Sequence, residues 1–178
     1  MEDCFVTADA PPETQSELLR AAEADLIDAG ALILLASSID GGTWESAFAN
    51  NRYAPLTKYF AKTGLSQQKS FGHVRQATAE DVPAIVVSSA VNRRILQDLH
   101  HHFWKPHRDA DDRFGSWMLC SLTLTDRDLF VSDEEGSIHG YAIYQSATPL
   151  HFPTPHDIAG IGVIDDFFHN GLENAQKA

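Results

Sequence analysis

The stretch 158–168, Ile-Ala-Gly-Ile-Gly-Val-Ile-Asp-Asp-Phe-Phe, constrains the fold more than any other in this chain. Ile158, Ile161, Val163, Ile164 and Phe167 surround Gly160 and Gly162, and Asp165-Asp166 follows with no helix-cap pattern. β-Branched residues suit a pleated surface, and each glycine would cost a helix roughly 1 kcal/mol. The stretch therefore predicts a buried strand at the centre of a sheet. Glu2-Asp3-Cys4-Phe5 repeats the acid-acid-X-aromatic pattern of Asp165-Asp166-Phe167-Phe168. The chain thus opens and closes at matching points of a repeating unit.

Upstream, Thr14 reads as an N-cap with Glu17 closing a capping box, predicting a helix over 15–29. Leu18, Leu19, Ala22, Leu26 and Ile27 form its apolar face, and Gly30 ends it. Residues 31–37 are a continuous apolar run and predict a fully buried strand. Thr43 caps a short helix over 44–51, and 56–62 alternates like an edge strand. Residues 63–72 are linker-like, and composition resets after them. A short strand over 73–77 leads into a second capping box, Thr78-Ala-Glu-Asp81, with Pro83 in the first turn of a helix over 81–99. A loop rich in histidine and aromatics precedes a second helix over 111–124, through Phe114, Trp117, Met118 and Leu122. Strands over 129–132 and 138–144 are joined by a hairpin turn whose glycine supplies a positive φ.

Composition narrows the function classes. A chain of 178 residues, 43% apolar and 10% aromatic, is long enough for one domain with a full core and too ordered in character for a disordered tail. A net charge of −12 argues against a duplex nucleic-acid partner, which needs a basic face. Two cysteines without framework spacing fit a reducing compartment, and no apolar run has the length of a membrane span. The expectation is a soluble, cytoplasmic protein.

From residue 73 the wording "VRQATAEDVPAI" entering a helix, "LFVSDEEGSIHGYAIYQS" as a hairpin and a final apolar strand resembles the first half of the GNAT superfamily of acyl-CoA-dependent N-acyltransferases. Residues 14–62 resemble its second half, so the halves stand in reversed order. The resemblance implies an α/β (formally α+β) fold with a mixed, largely antiparallel sheet flanked by helices. It divides the chain into 1–62, a linker 63–72, and 73–178, with the run 32–36 lying alongside 160–164. Such a chain is either a permuted single domain or a slice of a tandem protein, completed as a domain-swapped homodimer. The resemblance further implies acetyl-CoA as co-substrate and a small or peptide amine as acceptor. It casts Asp166 as the base and Tyr59 as acid for the departing thiolate, with Tyr53 the neighbouring candidate. Val163, Ile164, Asp165, Asn170 and Gly171 are the positions it gives to the coenzyme. The superfamily's pyrophosphate loop, Gln/Arg-x-x-Gly-x-Gly/Ala, is matched neither by 169–174, with its single glycine, nor by 7–14, with its two prolines. A second reading follows from that departure: a non-catalytic module for binding or dimerisation.

Three other groups carry less. His100, His101, His102 and His107 with Asp109, Asp111 and Asp112 lack the helical His-x₃-His spacing of a zinc site, and a polar loop is expected. Tyr141 and Tyr144 alternate with core positions and either line a substrate cleft or pack across strands. Ser37-Ser38 beside Gly41-Gly42 lacks the Gly-x-Ser-x-Gly of a nucleophile turn.

Overall fold

The computed structural model describes residues 5–38, 40–66, 72–152 and 157–171. The chain divides into two compact units, Met1–Thr63 and Gly64–Ala178.

The first unit holds two helices, α1 (Thr14–Asp28) and α2 (Trp44–Asn50). Gly30 takes φ 91° and ends α1 in the left-handed region, as its position predicts. The capping box at Thr14 does not form. Glu13 already has helical angles and is the N-cap, so Thr14 lies inside the first turn, where its hydroxyl cannot reach the N-terminal donors. Leu19, Ala47 and Phe48 are buried, and Phe48 lies 5.9 Å from the Trp44 ring and 5.3 Å from the Tyr53 ring. The strands expected over 31–37 and 56–62 are absent. Leu32 is 98% exposed and Phe60 91%. A strand exists only through its ladder partners, and this unit offers none among the described residues.

The second unit is α/β, with a four-stranded antiparallel sheet flanked by helices. It runs β1 (Val74–Gln76), a 3₁₀ turn (Ala79–Asp81), α3 (Val82–Leu99), α4 (Ala110–Ser121), β2 (Arg127–Glu134), β3 (Ser137–Ser146) and β4 (Gly162–His169). Spatial order follows chain order, and every pair is antiparallel, so the expected mixed sheet is corrected to a wholly antiparallel one. The cause is local: β2 and β3 are joined by a two-residue turn in which Glu135 and Gly136 both have positive φ, 54° and 83°. That primed turn matches strand twist and forces antiparallel pairing.

The capping box at Thr78 does form. Asp81 accepts from the Thr78 N–H at 2.7 Å and from its hydroxyl at 3.1 Å, and Arg75 of β1 donates to both Asp81 oxygens at 2.8 Å. Arg75 also donates to Asp133 of β2 at 2.9 Å, so one guanidinium ties the start of α3 to two strands. These bonds, the one from Arg75 foremost, hold the Asp81 carboxyl well below the usual carboxylate range.

Alternation then builds the core. Leu129 and Val131 of β2, Tyr141 and Ile143 of β3 and Phe168 of β4 face Val82 and Ile85 of α3 and Met118 of α4. The stretch read as the buried centre of the sheet is instead its edge. β4 begins only at Gly162, pairs with β3 alone, and leaves Ile164 69% and Phe167 59% exposed. Gly160, at φ 75°, turns the chain into the strand. Among the described residues the strands of this sheet lie between Val74 and His169, and 31–37 form no strand. No helix among the described residues is long and apolar enough to cross a membrane.

Two predictions follow from these contacts. A Cβ on buried Gly140 would sit 2.5 Å from the Phe168 carbonyl oxygen, a backbone atom. Gly140→Ala is expected to cost about 1–3 kcal/mol and lower the melting temperature by several degrees. Because Asp81 titrates lower in the folded chain than in the unfolded one, its contribution is present above the ordinary carboxylate range and is lost as pH falls through that range and below it. Melting curves from pH 7 down to about 2 should show the gap between the wild type and Asp81→Asn narrowing with acid.

Candidate functional site

β3 pairs with β4 in register from Gly140–His169 to Ile143–Asp166, then resumes at Tyr144–Ile164. Asp165 is therefore an extra residue, a β-bulge in the middle of β4. A regular strand would send Asp165 and Asp166 to opposite faces; the bulge lets both reach the helix-covered side. Each carboxylate meets a different network there.

Asp166 pairs with Ile143, and its Oδ2 accepts from the Tyr141 hydroxyl at 2.8 Å. Tyr141 has one hydroxyl proton, and that proton is committed to Asp166. On α3, Ser89 Oγ accepts from Arg93 Nη1 at 2.6 Å, four residues along the helix. Arg93 also pairs with Asp111 of α4 and lies 5.6 Å from the Phe114 ring. Burial pushes the Tyr141 hydroxyl up, and the Asp166 charge adds to it. Burial likewise raises the Asp166 carboxyl above its ordinary value, against the opposing bonds from Tyr141 and the Phe167 N–H.

Asp165 reaches the second network. Gln145 Nε2 donates to Asp165 Oδ2 at 3.2 Å, while Gln145 Oε1 accepts from Arg127 Nε at 2.9 Å. Arg127 lies 4.5 Å from the Trp117 ring and 3.9 Å from Asp165. His151, whose Nδ1 accepts the Thr148 N–H at 2.9 Å, brings Nε2 to 3.9 Å from Asp165 Oδ1. Two neighbouring aromatic rings of α4 thus carry two arginines, one serving each acid.

β4 also has an open side. The bonds flanking its pairing, Asn170 N–H to the His139 carbonyl and Ala147 N–H to the Ile161 carbonyl, fix which residues face β3. By that register the backbone groups of Ile164 and Phe167 point away from it, and among the described residues no strand takes them up.

The sequence-predicted site residues are only partly brought together. Asp166, Asp165, Val163 and Ile164 share β4, Val163 pairing with Gln145 and Ile164 lying exposed opposite Tyr144. The Asn170 N–H is bound to the His139 carbonyl at 2.9 Å and the Gly171 N–H to His169 Nδ1 at 3.0 Å. Both donors are already engaged within the protein. The remainder of the loop expected to hold pyrophosphate, 172–174, lies outside the described residues. Tyr59, in the first unit, is 86% exposed, while Tyr53 packs on Phe48 at 5.3 Å. Tyr144 stacks on Phe130 at 5.3 Å, and Tyr141 turns out to be the inward partner of Asp166. Among the described residues no group of three or more His, Cys, Asp or Glu is placed to hold a metal ion. The polar hollow lined by His73, Asp133, Glu134 and His139 sits at the hairpin end of the sheet, away from both carboxylates.

Sequence reading passed over Ser89, Arg93, Arg127, Gln145 and His151. One signal was available: Ser89 lies four residues after Ile85 on the apolar face of α3, with Arg93 four further on. A polar pair at that spacing on a buried stripe needs a partner across the interface. No family model, curated protein or solved structure matches the chain.

The raised Asp166 carboxyl gives a signed pH effect. The unfolded chain ionises first, so folding carries a penalty that is absent in acid and develops as pH rises through the ordinary carboxylate range. Asp166→Asn keeps an oxygen to accept the Tyr141 proton but has no charge to bury. Its melting temperature relative to the wild type should climb as pH rises through the ordinary carboxylate range and level off once the folded carboxyl is itself ionised, which paired thermal melts will read.

Proposed function

We propose that this chain is an acyl-CoA-dependent N-acyltransferase-like protein acting on a small or peptide amine, with the coenzyme's pantetheine arm laid along the open edge of β4. The observation that carries the reading is the bulged edge strand itself. Its outward backbone groups, those of Ile164 and the Phe167 carbonyl, can exchange hydrogen bonds with the amides of an extended arm, as an added strand would. Asp166, held at the bulge with a raised proton affinity, is suited to take the proton of an attacking amine, directly or through one water. Transfer from a thioester needs little more of the protein than positioning, backbone donors for the developing oxyanion and that base.

A second reading is favoured by a separate observation. Ile164 and Phe167 expose apolar side chains beside the same open edge, and the Asn170 and Gly171 donors are already engaged. These features suit a module that adds a strand from a protein partner, or from a second copy, and performs no chemistry.

Acetyl-CoA separates the two. On the enzyme reading, about 1 mM coenzyme raises the melting temperature, since a ligand at 100 times its Kd stabilises by about 2.7 kcal/mol. Asp166→Asn should keep that shift while lowering acetyl transfer to a panel of amines by about 100-fold or more. An unchanged melting temperature selects the strand-adding module.

A further inference from the structure

The open edge of β4 has a symmetry of its own. By the register with β3, the residues that turn backbone groups outward are Gly162, Ile164, Phe167 and His169. Gly162 and Ile164 lie as far before the Asp165–Asp166 peptide as His169 and Phe167 lie after it. We propose that this edge is built to take a second copy of β4, antiparallel about a twofold axis facing that peptide, so that two four-stranded sheets join into one. The inference deepens the strand-adding reading and rests on it, naming this chain as its own partner.

The bulge selects the occupant. An ordinary strand offers outward groups at every second residue, whereas β4 steps by three from Ile164 to Phe167. A regular strand that meets Gly162 and Ile164 is therefore out of register at Phe167 and His169. A second β4 has the same step at the same place, and the twofold sets the two interruptions opposite each other. Each Ile164 N–H then donates to the Phe167 carbonyl of the other copy, and each Gly162 faces His169 of the other copy. A Cβ placed on Gly162 meets nothing within 4 Å, so that end of the edge is unobstructed.

Side chains and charge fit the same occupant. Ile164 lies opposite Tyr144 and Phe167 opposite Ala142, while the alternating Tyr141 and Ile143 face the helices. Both apolar side chains therefore stand on the helix-free face, beside the stacked Phe130 and Tyr144. Pairing sets each Ile164 against Phe167 of the other copy, an aromatic–β-branched cross-strand pair. These side chains, 69% and 59% exposed, and the eight residues of each edge cover on the order of 1,000 Å², the size at which specific interfaces begin. With a net charge of −12, two copies repel in general. At this edge the outward positions carry no carboxylate, because Asp165 and Asp166 are held on the helix side by Gln145 and Tyr141. No lysine or proline between Gly162 and His169 guards the edge against pairing.

The test is sedimentation equilibrium of the full chain from about 1 to about 100 μM. A dimer is expected, and Ile164→Lys should weaken it about 100-fold, because the change enters a twofold interface twice. Val87→Lys adds the same charge at a residue 66% exposed on α3 and should leave association as it was. Disulfide trapping, with Cys4 and Cys120 replaced by serine, reads the register. Ile164→Cys and Phe167→Cys chains, mixed, should cross-link to each other, and neither should cross-link to itself. A chain that stays monomeric at about 100 μM overturns the pairing. So does a dimer that withstands Ile164→Lys or traps like with like. Should Ile164→Lys fail to fold, the trapping decides alone. Acetyl-CoA melts keep the two levels apart. A monomer that the coenzyme leaves unmoved keeps the strand-adding reading and removes the second copy; a coenzyme-stabilised monomer removes both.

Discussion

The structure of the second unit depends on one irregularity, the extra residue Asp165 between β3 and β4. Strand geometry sends successive side chains to opposite faces, so two adjacent acids would ordinarily divide between core and solvent. The bulge suspends that rule for one step. As a result a carboxylate that burial disfavours is held under the helices by Tyr141, and its neighbour is held by Gln145. Pairing resumes on both sides, so Phe168 still enters the core and Val163 still meets Gln145.

Both networks end on α4, and there the aromatic residues serve two purposes. Phe114 and Trp117 lie one helical turn apart, 6.1 Å between ring centroids, and each carries a guanidinium. A cation on an aromatic face gains attraction from the ring beyond that of its carboxylate partner. Arg93 and Arg127 are thereby kept close to the sheet with donors free for Ser89 and Gln145. A lysine, with a compact charge and no planar fork, would lack the flat face that stacks on a ring and the fixed pair of donors beside it.

Much of the second unit was legible in the sequence, because its signals are local. The Thr78–Asp81 box, Pro83 at the start of α3 and the glycine of the hairpin each report on a few neighbouring bonds, and each was met as read. Expectations that depend on distant partners are not met. An apolar run cannot say whether a second strand will be there to pair with it, so residues 31–37 looked like a buried strand and 158–168 like a central one. The same limit applies to the site. Asp166 could be picked out as a carboxylate at a strand, and Tyr141 only as one of two equal tyrosines, since which of them faces inward depends on register. Ser89 and Arg93 face them only across the helix–sheet interface, which no linear spacing reports.

The bulge has a bearing on solubility as well. An apolar edge strand with unpaired backbone groups is a template on which stray chains can assemble into aggregates, and flatness is what makes such a template effective. Asp165 interrupts β4 so that three paired residues lie on one side of it and four on the other, and a bulge adds local twist between them. Neither run has the length of an aggregating segment, about six or seven residues. The residue that brings two acids to one face therefore also shields the chain from its own stickiest border.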